Sequence, residues 1–210
     1  MMKEVIWIEK TSIVFAEQRP DWSDMPVISM ECSYRQSPDD IHAYAQICYN
    51  REMLYLHLWA EELRIREEET EILGMPCRDS CLEFFLRPVP EDMRYLNFEF
   101  NPNGCMFLGL GSDTFGLTRL VPDDAESLFS SKITKTDTGW DLQFDIPSTF
   151  IWRFFPEYKA TAGGIIYANF YKCGDLTTPP HYYSWNSVGG EPLSFHRPEC
   201  FGCLVFGESN

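Results

Sequence analysis

Six side chains in this sequence carry the chemistry of a polar-ligand site: Glu83, Asn97, Asn169, Tyr183, Trp185 and His196. Flat rings beside amides and a carboxylate suit a ligand with apolar C–H faces and many hydroxyls, and a sugar is such a ligand. Glu83 stands out. The run Cys81–Arg87 alternates so that Leu82, Phe84 and Leu86 share one strand face and Glu83 lies on the other, between Cys81 and Phe85. A carboxylate among apolar neighbours needs a partner, because an unpaired buried charge is costly. A pair of sugar hydroxyls would serve, and so would an internal salt bridge. Asn97 and Asn169 lie on the polar faces of otherwise apolar strands, where an amide can pair with adjacent hydroxyls or satisfy a neighbouring loop. Trp185 follows His181-Tyr182-Tyr183-Ser184 in a segment too polar for a core strand, and Phe195 and His196 close the same loop. A Trp exposed there is a stacking platform; turned inward, it caps the core.

Other chemistries draw on the same residues. Glu83 and Glu99 lie on adjacent strands and could form the acid pair of a glycoside hydrolase, which needs carboxyls about 5 Å or roughly 6.5–9.5 Å apart. No motif marks either as an acid catalyst, so the expectation is a non-enzyme. A haem held by His57 or His196 with a Met has no supporting spacing. Cys200-x-x-Cys203 enters an apolar strand rather than a helix, and Cys77-x3-Cys81 is the only pair that could complete a zinc ribbon with it. Two packed thiols is the simpler reading. Gly109-x-Gly111 is followed by neither a helix nor a basic residue and makes no phosphate loop.

The elements that must position these groups are strands. Apolar residues recur with period two at Leu54-Leu56-Leu58, Leu82-Phe84-Leu86, Leu96-Phe98-Phe100, Trp140-Leu142-Phe144-Ile146 and Ile166-Ala168-Phe170. Turn residues bound them, and Asn101-Pro102-Asn103-Gly104 predicts a hairpin. Two short helices are predicted, one over Pro122–Phe129 behind an Asp cap and one over Ser148–Phe155. The acid-rich run Glu61–Glu71 reads as a solvated loop or one exposed helical turn. The pattern predicts an all-β chain, one antiparallel β-sandwich of the jelly-roll or immunoglobulin-like two-sheet kind, forming a single domain over residues 1–210.

Composition narrows the partners. With 17 Lys plus Arg against 32 Asp plus Glu, the net charge is −15, which repels nucleic acid and anionic membrane surfaces but not a neutral sugar. Met1–Lys10 has no apolar leader core, no run is long enough to span a bilayer, and most of the eight cysteines sit in apolar runs. A cytoplasmic chain with reduced thiols is expected, or an extracytoplasmic one had a leader been removed.

Three stretches also carry a family likeness: Asp79-Ser80-Cys81-Leu82-Glu83-Phe84-Phe85-Leu86, Gly139-Trp140-Asp141-Leu142-Gln143-Phe144-Asp145-Ile146-Pro147, and the segment from Ala168 to Phe206. Together they resemble the family 9 carbohydrate-binding modules and their stand-alone relatives, over roughly residues 25 to 206. In that family a Trp-bearing loop precedes a last strand introduced by an F-G or Y-G pair, here Phe201-Gly202. The resemblance implies a β-sandwich that binds a mono- or oligosaccharide without turning it over, from plant glucan or xylan. It also implies that Glu83, the acid of D-S-x-x-E, lies in the sugar-binding region. No cofactor is required by it, and it leaves room for structural calcium. One departure is plain. The family can clamp a sugar between two Trp rings, one of them just before this acid, whereas Leu73–Arg78 contains no aromatic residue.

Overall fold

The computed structural model describes residues 10–208; the amino-terminal residues read above for a leader lie outside these, apart from Lys10. Fourteen strands follow in chain order: β1 Lys10–Phe15, β2 Ile28–Ser29, β3 Cys32–Tyr34, β4 His42–Tyr49, β5 Met53–Glu61, β6 Cys81–Arg87 and β7 Tyr95–Phe100. After these come β8 Met106–Gly111, β9 Thr118–Leu120, β10 Lys132–Lys135, β11 Gly139–Pro147, β12 Ile165–Gly174, β13 His181–Ser184 and β14 Gly202–Phe206. The helices are short: α1 Ala125–Phe129 and α2 Ser148–Ile151. Asp124 caps α1 by accepting the Ser127 N–H at 2.9 Å, as the sequence predicts. The second helix stops well before Phe155. No helix among the described residues is long and apolar enough to cross a membrane.

One sheet runs β9-β8-β7-β6-β12-β14, and the other runs β10-β11-β5-β4 with β2 on its edge. The edge of β12 away from β6 is shared, with residues 165–168 pairing β14 and residues 171–174 pairing β13, which carries β3 in turn. The antiparallel expectation holds for every pair except those of β1. That strand lies parallel to β14 through Lys10–Ile13 and parallel to β4 through Val14–Phe15, so it joins the two sheets into one curled mixed sheet. A lone strand lying between two edges has no hairpin to fix its direction, and its short apolar pattern carries no sign of that direction.

The period-two residues meet between the sheets as expected. Leu82, Phe84, Leu86, Phe98, Phe100, Leu142, Phe144 and Phe170 are all buried in one cluster. Phe144 from one sheet contacts Phe98 and Phe100 from the other at ring separations of 5.8 and 5.1 Å. The Asn101–Gly104 hairpin joins β7 to β8, closed by Gly104 N–H on Asn101 O at 3.0 Å with Gly104 at φ +80.

The acid-rich run departs from expectation at Glu62. Its carboxylate lies inside the molecule, against Lys172 Nζ (3.1 Å), Trp140 Nε1 (2.8 Å) and Ser80 Oγ (3.0 Å). Burial alone would raise this carboxyl, but the Lys172 charge, the Trp140 N–H and His181 together bring it below the usual value. Cys48, Cys77, Cys81, Cys105, Cys173, Cys200 and Cys203 are free thiols. Cys200 points its thiol at Val188 O (3.3 Å), while Cys203 lies on β14.

Candidate functional site

The outward face of the first sheet is the floor of a cavity of about 360 Å³. Four strands supply it, with Phe107 on β8 directly opposite Glu99. Glu83 on β6 is directly opposite Glu99 on β7, and on its other side β12 brings Tyr171 and Cys173 into register with Glu83 and Cys81. The same alternation that sends Leu82 and Phe84 into the core therefore sets two carboxylates side by side on the floor. Loops raise the walls: Met75 and Cys77 before β6, Thr114 and Leu117 after β8, Leu193–His196 before β14, and Arg35 with Tyr182 beside Asp175.

The floor is acidic. Both glutamates are almost fully buried, and neither forms an ion pair with Lys or Arg among the described residues. Glu83 Oε1 accepts a hydrogen bond from Cys173 Sγ at 2.9 Å. Glu99 Oε1 accepts one from Asn97 Nδ2 at 2.7 Å, and Glu99 Oε2 has no partner. Burial raises Glu83 to about 7, with the Cys173 bond acting against the rise and Asp175 adding to it. Burial first, and then the neighbouring Glu83, push Glu99 well above the ordinary carboxyl range. The pair therefore holds a proton near neutral pH and presents both donor and acceptor oxygens to the cavity.

Rings form the apolar side. Phe195 stacks on Tyr171 with centroids 4.2 Å apart and 14° between planes, and meets Tyr34 and Tyr182 edge-on. His196 is fixed by Tyr95 Oη at 2.7 Å and lies on the Phe85 ring. Burial pushes its imidazole down to about 4, so it is neutral at pH 7. Arg35 stands over the Tyr182 ring at 5.0 Å. It occupies a left-handed conformation, as does Gln36 (φ 54 and 57), an unfavourable backbone that the turn before β4 imposes.

Of the six residues expected at the site, Glu83 and His196 line the cavity. Asn97 lies beneath it and orients Glu99; Gly109, its neighbour on β8, leaves the space its amide occupies. Asn169 holds the loop after β13, accepting Asn186 N–H (2.9 Å) and donating to Asn186 O (2.8 Å). Tyr183 is buried with its hydroxyl on Pro38 O.

Trp185 needs correction. It is 5% exposed, belongs to the core between the sheets, and packs on Phe170 and Gly202. Its backbone N–H continues the β12 pairing onto Phe170 O (3.0 Å), which turns the ring inward. It is no platform. The residues missed are Phe195, named only as the end of a loop, and Arg35; Glu99 enters the sequence reading only as the second acid of a hydrolase.

Comparison with known proteins bears on this cavity. The family model for carbohydrate-binding family 9 matches residues 12–206. No curated protein matches the chain. Among solved structures, one from Bacteroides uniformis ATCC 8492, provisionally described as a carbohydrate-binding protein, superposes with TM-score 0.80 at 22% identity, covering 95% of this chain and all of that one. A family 9 module from Caldicellulosiruptor kristjanssonii, solved with glucose and with cellotriose, superposes with TM-score 0.67 at 13% identity over 96% of this chain and 98% and 96% of the two structures. These likenesses show the fold, and the family match covers nearly the whole chain.

Proposed function

We propose, from the premise that this chain belongs to carbohydrate-binding family 9, that its acidic cavity binds a neutral mono- or short oligosaccharide without turning it over. The observation that carries the reading is the floor: two buried glutamates side by side, one with an unpartnered oxygen, under a wall of stacked rings. Sugar hydroxyls supply the hydrogen bonds that Glu99 Oε2 lacks, and Glu83 accepts or donates according to where the shared proton lies. Phe195 and Tyr182 offer the apolar surface for C–H groups, and Arg35 is a donor at the rim. A volume of about 360 Å³ lies at the small end of ligand pockets and fits the end of a glycan better than a long stretch of it. The Caldicellulosiruptor module was solved with glucose and cellotriose, so glucose and β-glucan ends head the set of ligands to try, with xylan oligosaccharides beside them. The buried thiols of Cys48, Cys81, Cys105, Cys173 and Cys200 support a reducing compartment.

Glu83→Gln keeps the shape and removes the charge. Affinity for the bound sugar should fall roughly tenfold to a hundredfold, the loss of one charge-assisted hydrogen bond of about 1.5–3 kcal/mol. Calorimetric titration of wild type and variant reads this directly; equal affinities would remove Glu83 from the site.

One observation favours a second reading, a glycoside hydrolase: Glu83 has a raised pKa of about 7 and a second acid beside it. The two acids share one floor, however, whereas hydrolysis places them on opposite sides of the scissile bond. Reducing-sugar release from glucan and xylan should stay at background. Release by wild type that vanishes in both Glu83→Gln and Glu99→Gln would establish the hydrolase.

A further inference from the structure

Two thiols adjoin Glu83, Cys173 on the cavity floor and Cys81 buried beneath it, and sugar recognition does not use them. Cys81 on β6 is directly opposite Cys173 on β12, and Glu83 follows Cys81 by two residues on the same face. All three side chains are buried. Their ligand atoms, two Sγ and one carboxylate oxygen, lie within 4.8 Å of one another. We propose that Cys81, Cys173 and Glu83 form a binding site for a soft divalent cation of the zinc class at the bottom of the cavity.

Zinc takes sulfur at about 2.3 Å and carboxylate oxygen at about 2.0–2.2 Å, so tetrahedral ligands stand roughly 3.5–3.8 Å apart. The three atoms lie within 4.8 Å of one another, so small side-chain shifts of about 1 Å bring them to that spacing. The Cys173–Glu83 contact, at 2.9 Å, has to open. A second observation points to the same cation. Glu99, opposite Glu83, keeps a buried Oε2 without a partner, and among the described residues neither carboxylate has a Lys or Arg within ion-pair distance. A divalent ion takes the place of the proton the pair holds, and Glu99 Oε2 or water from the cavity supplies a fourth ligand. Two sulfurs in the set select zinc-like ions over calcium or magnesium, which take oxygen ligands. Binding forms two metal–thiolate bonds and one metal–carboxylate bond. The protons of both thiols, and any on Glu83, leave to solvent through the cavity, and nothing is oxidised or reduced.

The cation is tested without sugar, so failure here leaves the sugar reading standing, and failure of sugar binding leaves this one standing. Full-length protein, stripped by a chelator and kept reduced with a thiol-free phosphine, is titrated anaerobically with Co²⁺ and then Zn²⁺. One equivalent of Co²⁺ should produce a near-ultraviolet thiolate-to-metal charge-transfer band with tetrahedral visible bands, and Zn²⁺ should displace them. Cys81→Ser and Cys173→Ser should each lower Zn²⁺ affinity about a hundredfold or more, Glu83→Gln should weaken it, and Cys203→Ser on β14 should leave it unchanged. Absence of the charge-transfer band in wild type overturns the proposal, as does a band of full strength in the Cys81→Ser/Cys173→Ser double variant. The wild-type spectrum needs no substitution, so poor folding of a serine variant does not affect that result.

Discussion

Trp185→Ala should lower stability by about 3–5 kcal/mol, the usual cost of emptying a large aromatic site in a core, while the folded variant keeps its sugar affinity. Trp185 is packed between the sheets against Phe170, with ring centroids 5.9 Å apart, and its ring occupies the space a Cβ on Gly202 would need. Denaturant unfolding beside calorimetric sugar titration separates the two effects. A platform residue would behave in the opposite way, losing binding with little change in stability. That outcome would return Trp185 to the site and unseat the cavity as described.

A similar loss is expected from Lys172→Met, for an electrostatic reason. Lys172 Nζ lies fully buried 3.1 Å from Glu62 Oε1 and 2.6 Å from His181 Nε2. Removing the ammonium strands the Glu62 carboxylate, and breaking one half of a buried pair costs roughly 3–5 kcal/mol. Replacing both partners, as Lys172→Met with Glu62→Leu, should recover much of that loss, since apolar groups of similar volume often replace a buried pair at no net cost. The pH dependence follows from the sign of the Glu62 shift. Its folded pKa is depressed below the ordinary 4.5, so its contribution is present above that value and is lost as pH falls through the folded pKa. The single variant should show a weaker acid-side loss than wild type. Equal stability of the single and wild-type proteins would mean that the pair contributes nothing.

Where the local pattern decides the outcome, the residues alone were informative. Alternation in Cys81–Arg87 and Tyr95–Phe100 orients both Glu83 and Glu99, because a strand has only two faces and the apolar residues take one. Glu62 and Trp185 show the opposite case. Glu62 sits in a run of carboxylates that suits solvent, and its burial depends on Lys172, far along the chain. Trp185 sits in a polar segment, and its inward turn depends on a backbone bond to Phe170. Asn97 and Asn169 lie on the polar strand faces that the alternation predicts, but neither lines the cavity, and their amides brace Glu99 and the Asn186 loop. Phe195 and Arg35 reach the cavity from loops separated by most of the chain, and no spacing announces such a meeting. The parallel pairing of β1 is of the same kind, fixed by two distant strand edges.

The central claim is that the cavity over β6, β7 and β12 is the sugar site. Met75, Leu117 and Leu193 line it, and each carries methyl groups that report on ligand contact. Methyl NMR during titration with glucose, cellotriose and xylotriose should shift those three residues saturably, with Leu56, Leu142 and Ile146 in the opposite sheet unmoved. No saturable shift with any of the three sugars, or shifts confined to residues away from the cavity, would contradict the account.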